Sequence, residues 1–397
     1  MKMNDFKEIF AGRKLLCCIS ILLAALLPYA AQGNDGVFYV NGNHLVPIQE
    51  TDIALAKEVL SIRLFDDGYA EVDVQYELMN NGPAKTVTMG FEAEAPYNDS
   101  EAVFSRDGIH PYISNFTVEM NHERLTYLNA VVKTKYDEAC EFIPLDLDRW
   151  KSYGEVKMRN GDDLPHNAML YDAKKDSLID FAYAYYFIAR FNPGLNTVHH
   201  TYRYRMSYGV GRTFEVPYWL LPALRWANRQ IDDFTLRITA PNTAKHFFVA
   251  DSLFAGSEFV VAEGTGKIKK TRNFEDLYIE TALRNGTVEW HATNFRPKGN
   301  MTIQSAERLH YDDFVLGTFY DRSDRYQPGA YLTEPGKTEE RRRILQNLPY
   351  ASRGFVFKDR KLRRYFEKFW WYMPDPAWQP DTADFTPRER KLIQEGE

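Results

Sequence analysis

The segment Glu71-Val-Asp-Val-Gln-Tyr-Glu-Leu78 indicates the fold class of this 397-residue chain. Its apolar residues, at positions 72, 74, 76 and 78, alternate with polar ones. Successive side chains of a strand point to opposite faces, so the alternation predicts a strand with one buried and one solvated face. Asp67-Gly68 before it and Asn81-Gly82 after it are typical hairpin turns, and apolar residues at 87, 89 and 91 repeat the pattern. We therefore predict a three-stranded meander from Glu58 to Phe91.

Similar alternation recurs up to about residue 303. It predicts further strands at Phe116–Met120, Phe181–Phe191, Val198–Met206, Phe234–Thr239, Phe247–Asp251, Leu277–Ala282 and Val288–Phe295. We expect Asn285-Gly286 to form the turn between the last two. Many antiparallel strands without alternating helices favour an antiparallel β-sandwich-type body. The predicted fold class is mainly β, with a small α-helical domain at the C-terminus.

Two interruptions predict the domain organisation. Residues 131–176 lose the alternation and gain charge, which indicates a charged insertion or inter-domain segment between β-rich regions at 34–130 and 177–305. Residues 306–338 contain two Pro-Gly pairs in a polar stretch, which is typical of a linker. Residues 339–397 would then form the C-terminal domain.

The N-terminal segment predicts export. Arg13-Lys14 precede an apolar run from Leu15 to Leu27, and Ala31-Gln32-Gly33 offers the small residues of a cleavage site. We interpret residues 1–33 as a secretory signal, which places the mature chain in the periplasm or at the cell surface without a transmembrane helix. A retained membrane anchor is the alternative. Signal removal leaves Cys140 alone, so no intramolecular disulfide is expected, and this thiol is either buried and inert or a nucleophile.

The charge distribution argues against a nucleic-acid partner. The whole chain has a net charge of −6, and the first 33 residues contribute four basic and two acidic residues, so the remainder is at −8. Residues 339–397 differ, since they hold 13 basic and 10 acidic residues. This local excess suits an anionic envelope polymer or an acidic envelope protein as partner. A solvated helix face is the simpler alternative.

The C-terminal stretch contains two helix signals. Asp359 is an expected N-cap and Pro374 an expected stop, with apolar residues at 362, 366, 369 and 373 at helical spacing between them. Thr386-Pro-Arg-Glu389 matches a capping box with proline at the first helical position, so a second short helix should run to about Gln394.

These residues resemble a known bacterial family. Tyr350-Ala-Ser-Arg-Gly354, the aromatic residues spaced from Phe355 to Tyr372, and the late Thr386-x-x-Glu389 are similar to the YARHG domain, an extracellular module of bacterial envelope proteins whose function is not established. The resemblance covers about 339–397. Where the family pattern has arginine and histidine, this chain has serine and arginine, so a role that needs the imidazole is not implied here.

A second resemblance covers about 34–296. The strands that end in Met89-Gly-Phe91, the segment His200-Thr-Tyr-Arg-Tyr204, and the stretch from Tyr218 to Leu236 are similar to a secreted, β-rich bacterial family of unknown function. This resemblance implies a β-rich fold and no activity.

No catalytic motif of the common hydrolase, zinc-protease or phosphate-loop types is present in the sequence. His199 and His200 should point to opposite faces of a strand, which disfavours a shared metal. Glu92 and Glu94 share a strand face and could form the carboxylate pair of a glycosidase. Alternatively, this face is simply exposed to solvent. The aspartates at 146, 148, 162 and 163 could bind calcium or lie in solvated turns. We assign no catalytic residue, metal or cofactor.

An aromatic and basic cluster is the candidate ligand-binding site. Aromatic faces beside cations suit sugar or peptide surfaces, and consecutive aromatic residues cannot all face the core of one helix. The candidate residues are Tyr350, Arg353, Arg364, Lys368, Trp370, Trp371, Tyr372 and Trp378. We predict an exported envelope binding or adaptor protein. A polysaccharide or peptidoglycan hydrolase of the envelope is the alternative, and a structural subunit of a surface assembly is the third.

Overall fold

The computed structural model describes residues 33–41, 44–47, 52–94, 109–134, 142–144, 156–158, 168–172, 177–209, 212–273, 276–305 and 338–395. Residues 1–32 of the predicted signal at 1–33, Cys140 and the aspartates at 146, 148, 162 and 163 lie outside these ranges. Among the described residues, no helix is long and apolar enough to cross a membrane.

Twenty strands and three α-helices lie in the described residues. The strands are β1 Gly33–Asn41, β2 His44–Pro47, β3 Ile53–Leu64, β4 Tyr69–Asn80, β5 Lys85–Glu94, β6 Ile113–Met120, β7 Glu123–Arg124, β8 Leu128–Thr134, β9 Phe142–Pro144, β10 Val156–Met158, β11 Ala168–Asp172, β12 Ser177–Phe191, β13 Gly194–Arg205, β14 Ser207–Gly209, β15 Arg212–Tyr218, β16 Ile231–Ala240, β17 Lys245–Ala250, β18 Val260–Asn273, β19 Asp276–Phe295 and β20 Met301–Ser305. The helices are α1 Thr338–Ser352, α2 Arg360–Phe366 and α3 Pro387–Glu395.

The strands form two sheets that pack face to face, which confirms the mainly β fold class. The smaller sheet has eight strands, with the order β10-β11-β12-β5-β1-β2 and with β8 and β9 beside β12. The larger has twelve, with the order β14-β15-β20-β17-β19-β16-β3-β4-β13-β6-β7 and β18 beside β19. Phe91 of β5 lies with its ring 4.7 Å from Tyr202 and 5.7 Å from His200, both on β13. The core therefore fills the space between the sheets.

The predicted first hairpin is confirmed and the predicted meander is wrong. β3 and β4 pair antiparallel around Gly68, which has a φ of +82°. β5, however, pairs with β1 and β12 in the smaller sheet instead of with β4. Alternation determines which face of a strand is buried but not which of two facing sheets contains it, because both sheets turn an apolar face to the same core.

Two buried asparagines build the corner at which the chain changes sheets. The Asn80 side-chain amide donates to the Pro83 carbonyl at 2.9 Å and to the Asn192 carbonyl at 3.2 Å, and its oxygen accepts from Gly82 N at 3.0 Å. Asn196 bonds both the N–H and the carbonyl of Asn192, at 2.9 and 2.8 Å. The β4–β5 and β12–β13 connections therefore pass from one sheet to the other side by side, and these asparagine hydrogen bonds join them.

The second predicted hairpin is also wrong, because β19 runs without interruption through Asn285-Gly286. At this point the register between β18 and β19 shifts, and Asn285 and Gly264 have φ values of 44° and 71°. A Cβ atom at Gly264 would lie 2.0 Å from the Asn285 carbonyl oxygen. The Asn-Gly pair therefore belongs to a bulge where two backbones meet closely.

Two further differences from the expectation concern strand direction and the charged insertion. β3 and β16 pair in parallel, so the larger sheet is mixed.

Within 131–176, the described pieces β10 and β11 extend the smaller sheet from β12. These strands are only three and five residues long, which is too short for a clear alternation in the sequence.

The C-terminal region holds three helices where the sequence predicted two. Helix α1 was missed, since Pro349 lies inside it and its residues are mostly polar. The predicted caps of the other two are confirmed. The Asp359 carboxylate accepts from the backbone N–H groups of Lys361 and Leu362 at 2.8 and 2.9 Å. Helix α2 ends at Phe366, earlier than the expected stop at Pro374.

Candidate binding surface of the C-terminal module

Arg353, a predicted ligand-binding residue, is buried in an ion pair inside the C-terminal module, by which we mean residues 338–395. Its guanidinium donates to both carboxylate oxygens of Glu389, at 2.9 and 3.1 Å, and only 7% and 5% of the two residues are exposed. The same guanidinium donates to the carbonyls of Pro349 and Asp384, at 3.0 and 2.6 Å. This Arg353–Glu389 clasp joins the end of α1 to the start of α3, so Arg353 supports the fold and offers no free cation to a ligand.

Glu389 is also the acceptor of the predicted capping box. Its Oε2 accepts from Thr386 N at 2.8 Å and from the Thr386 hydroxyl at 2.9 Å, while Glu389 N donates back to the Thr386 hydroxyl oxygen at 3.3 Å. One carboxylate therefore caps α3 and holds Arg353 at the same time. Loss of the Glu389 carboxylate would therefore remove the cap of α3 and the partner of Arg353 together.

The other residues of Tyr350–Gly354 also support the module. Ser352 is buried, its hydroxyl donates to the Pro349 carbonyl at 2.9 Å, and its own carbonyl accepts from Ala244 N at 3.1 Å. Gly354 has a φ of +85°, and a Cβ atom there would lie 2.6 Å from the Met373 carbonyl oxygen. Tyr350 is half-buried and packs its ring 5.0 Å from that of Phe385. This turn is part of the core and of the contact with the β body.

The tryptophan and tyrosine candidates divide into two buried and two half-buried residues. Trp371 and Tyr372 are 8% and 3% exposed and belong to the module core. The Tyr372 hydroxyl donates to the Phe355 carbonyl at 2.6 Å, and burial raises its pKa above the usual value. Trp370 and Trp378 are half-buried.

The module packs on the outer face of β17, β18 and β19. Lys267 donates to the carbonyls of Trp370 and Tyr372 at 3.1 and 3.2 Å, and burial lowers its pKa. Arg284, only 5% exposed, donates to the Arg353 carbonyl at 3.2 Å and lies 3.5 Å from the Asp375 carboxylate. Basic side chains of the β body thus hold backbone carbonyls of the module.

A polar cluster lies beneath Trp370. Glu280 is fully buried and bonds His246 at 2.8 Å, Lys269 at 3.2 Å and the Thr271 hydroxyl. The Trp370 ring lies 5.4 Å from the His246 ring, and its centroid is 4.4 Å from Lys269 Nζ. Trp370 therefore already has a cation on one side, supplied by β18 and not by its own domain.

Exposed basic side chains surround helix α2. Arg364 and Lys368 are exposed, and so are Lys358, Arg360 and Lys361. Within the described part of the chain these five cations form no side-chain ion pair, in contrast to Arg343, which bonds Asp359 at 2.8 Å. They form the basic face of the module, and the name is used below for Lys358, Arg360, Lys361, Arg364 and Lys368.

The remaining sequence candidates offer no assembled site in the described residues. His199 bonds the Asp73 carboxylate at 3.1 Å, whereas His200 is buried among Phe91, Phe116 and Tyr76, so the two histidines point to opposite faces as expected. Glu92 and Glu94 are neighbours on β5, and their side chains lie outside what is described. Among the described residues no group of three metal-ligating side chains occurs.

Sequence reasoning missed the residues of the β body that meet the module. Lys267, Lys269, Glu280 and Arg284 come from a strand pair that carries no recognisable motif. The basic run in β18 was the signal that could have indicated this contact. Alternation in a half-exposed strand predicts which face is buried in the core, but it does not predict what packs on the other face.

Comparison with known proteins supports the resemblance of the C-terminal region. The sequence model of the YARHG domain matches residues 321–396. This match begins within the predicted linker and includes all eight candidate residues. No curated protein matches the chain.

Two of the solved structures that match this chain are distant from it. A "putative nutrient binding protein" from Legionella pneumophila is 15% identical, with a TM-score of 0.45, and the alignment covers 92% of this chain and 99% of that one. An M1 zinc metallopeptidase from Deinococcus radiodurans is 10% identical, with a TM-score of 0.23, over 65% of this chain and 43% of the peptidase. Both TM-scores lie below 0.5, so neither similarity bears on function.

Proposed function

We propose that this chain is an exported binding or adaptor protein that holds an anionic component of the bacterial envelope on the basic face of its C-terminal module. The observation that supports this function most directly is the group of five exposed cations on and beside α2 that lack an ion pair among the described residues. Cations that no internal carboxylate neutralises attract anionic partners over about 8 to 10 Å at physiological salt.

Two half-buried indoles lie in the same module as these cations, and Trp370 contacts His246 and Lys269 of the β body. Trp370 lies two residues after Lys368, and Trp378 packs edge to face on Phe355 at 6.2 Å. An aromatic ring beside a cation can bind both the apolar and the charged part of a partner. Arg353, Trp371 and Tyr372 serve this proposal indirectly, because they hold the framework that presents the basic face.

Export to the periplasm or the cell surface is part of the proposal. Its support is the signal-like segment at 1–33 and the match to the YARHG domain, which is typical of extracellular and periplasmic proteins. An envelope location would place the basic face beside abundant anionic polymers.

The test is a charge reversal on the basic face. The variant Arg364→Glu with Lys368→Glu should bind isolated envelope material at least about tenfold more weakly than the parent, because it changes the local charge by four units. Its matched control is Arg190→Glu with Lys298→Glu, which makes the same charge change at exposed positions of the β body. Equal binding by the parent and both variants would refute the proposal, and equal losses in both would indicate attraction to the whole surface.

A further inference from the structure

Strand β18 lies at an edge of the described part of the larger sheet and carries cations on both of its faces. Among the described strands it pairs with β19 alone. From Thr265 to Asn273 the pairing with Arg284 to Asp276 is in unbroken register, so this half of the strand is regular. An unpaired strand edge exposes backbone N–H and carbonyl groups that can bond a further strand.

The cations follow a symmetric pattern along this edge. The segment Lys267-Ile-Lys-Lys-Thr-Arg272 carries positive charge at its first, third, fourth and sixth positions. Since side chains alternate between faces, two of these cations lie on the face that contacts the module and two on the opposite face. The side chains of Lys269 and Lys270 are 40% and 57% exposed, and Arg272 is also exposed.

Three of these cations already have partners: Lys267 donates to the carbonyls of Trp370 and Tyr372, Lys269 bonds Glu280, and Lys270 bonds Asp251. Across the ladder, Lys267, Lys270 and Arg272 face Ala282, Ile279 and Leu277, and only Lys269 faces a carboxylate, that of Glu280.

Asp251, at the start of a short 3-10 helix, bonds Lys270 at 2.8 Å. A second copy of β18 on this edge would oppose lysine to lysine or arginine, which is unfavourable for cross-strand pairs. The pattern therefore disfavours self-association and suits an acidic strand.

We propose that the β18 edge binds an extended acidic segment of a partner protein, which adds a strand to the larger sheet. The complementary segment has the spacing Glu-x-Glu-Glu-x-Glu, and the symmetry of the cations lets it run parallel or antiparallel to β18. Backbone hydrogen bonds supply the alignment, and carboxylates on both faces supply the selectivity. This surface is separate from the basic face of the module, so it adds a second contact to the proposed function.

The experiment titrates the full chain calorimetrically with three kinds of synthetic peptide and with inorganic polyphosphate. The first peptide has the spacing Glu-Thr-Glu-Glu-Thr-Glu between flanking valines. The second rearranges the same residues to Glu-Glu-Thr-Thr-Glu-Glu. The third is the first peptide with every second backbone nitrogen methylated. It is made in two versions, one methylated at odd and one at even positions, because alternate N–H groups of a strand point to opposite edges. Inorganic polyphosphate is the fourth ligand and represents a linear polyanion.

We expect the first peptide to bind about tenfold more tightly than the second, and at least one methylated version to lose binding, since methylation removes backbone donors and leaves the charge unchanged. The variant Arg272→Glu should weaken the first peptide, and replacing one terminal glutamate by lysine should restore binding and reveal the strand direction. Equal binding of all peptides, or binding of polyphosphate alone, would overturn the proposal. The Arg364→Glu, Lys368→Glu variant should bind the first peptide as the parent does, which separates this proposal from the previous one.

Discussion

The β body and the C-terminal module are stabilised in different ways. Among the described residues, nine of the ten largest fully buried side chains lie in the body and one, Phe366, lies in the module. The module adds to its small apolar core the buried Arg353–Glu389 clasp and a glycine at positive φ. Small domains bury a smaller share of their surface, so individual polar contacts have more influence on their stability.

This difference changes the interpretation of the motif Tyr350–Gly354. In a large sandwich, a conspicuous arginine next to aromatic residues would suggest a ligand site. In this module the same residues close the fold and contact the body, and the exposed cations of the basic face lie on and beside α2. Four predictions test this difference between the β body and the module, in order of decreasing expected effect.

The largest effect is expected for Arg353→Met. It leaves the Glu389 carboxylate buried without its partner, which should lower the free energy of unfolding of the module by about 3–5 kcal/mol. Urea unfolding followed by hydrogen exchange should show the module amides losing protection first while those of the β body keep theirs.

The double variant Arg353→Met with Glu389→Gln is its control. Glutamine retains the capping box and no charge remains buried, so much of the lost stability should return. A single variant as stable as the parent would show that the clasp does not hold the module together.

The second prediction compares two glycines. Gly354→Ala places a side chain at a φ of +85°, 2.6 Å from the Met373 carbonyl oxygen and 2.9 Å from the Arg284 guanidinium carbon. The expected loss is about 2–4 kcal/mol from backbone strain and crowding together.

Gly68 in the β body has a φ of +82° with no atom within 4 Å of an added Cβ. Its alanine variant should therefore lose only about 1 kcal/mol. Denaturant midpoints of both variants measure the difference, and equal losses would contradict the role of close packing at Gly354.

The third prediction concerns the attachment of the module to the body. Arg284→Ala removes a charged donor to the Arg353 carbonyl at 3.2 Å, at an expected cost of about 1–3 kcal/mol. Limited proteolysis should then cleave the module faster.

Arg237 serves as the matched control, since its bond to Glu289 at 2.8 Å is exposed. Arg237→Ala should change stability by less than about 1 kcal/mol. If Arg284→Ala and Arg237→Ala have the same effect, the contact between module and body is not anchored at Arg284.

The smallest effect is a pH dependence at the start of α2. Hydrogen bonds from Leu362 N, Arg343 and Lys361 N lower the pKa of Asp359 below its usual value. A carboxylate with a lowered folded-state pKa stabilises the fold above the unfolded-state pKa of about 3.9, and this contribution is lost as the pH falls through the folded-state value.

Amide chemical shifts of Lys361 and Leu362 should therefore change on acidification in the parent. Asn also caps helices but does not titrate, so these shifts should stay constant in the Asp359→Asn variant. An identical titration in both proteins would assign the change to another group.

Local patterns in the sequence predicted much of the secondary structure. The hairpin at Asp67-Gly68, the cap at Asp359 and the capping box at Thr386 each depend on neighbouring residues, and all are present. Strands such as β13 and β16 were found because their burial alternates residue by residue. In contrast, β18 was missed because most of its residues are exposed and polar.

The burial of the candidate residues could not be predicted from the sequence. Composition indicated a basic, aromatic-rich C-terminal region, but it could not tell which arginine is buried and which is exposed, since Arg353 and Arg364 both lie near aromatic residues. Arg353 is buried because it pairs with Glu389, which lies 36 residues away in the chain.

By itself the sequence determined which strand faces are apolar and where helices α2 and α3 begin, because periodicity and capping involve residues within a few positions of each other. Only the tertiary structure decided that β5 joins the other sheet, that Asn285-Gly286 forms a bulge, and that Arg353 is enclosed while the cations of α2 stay exposed. These outcomes depend on contacts between distant segments, whose geometry no local pattern contains.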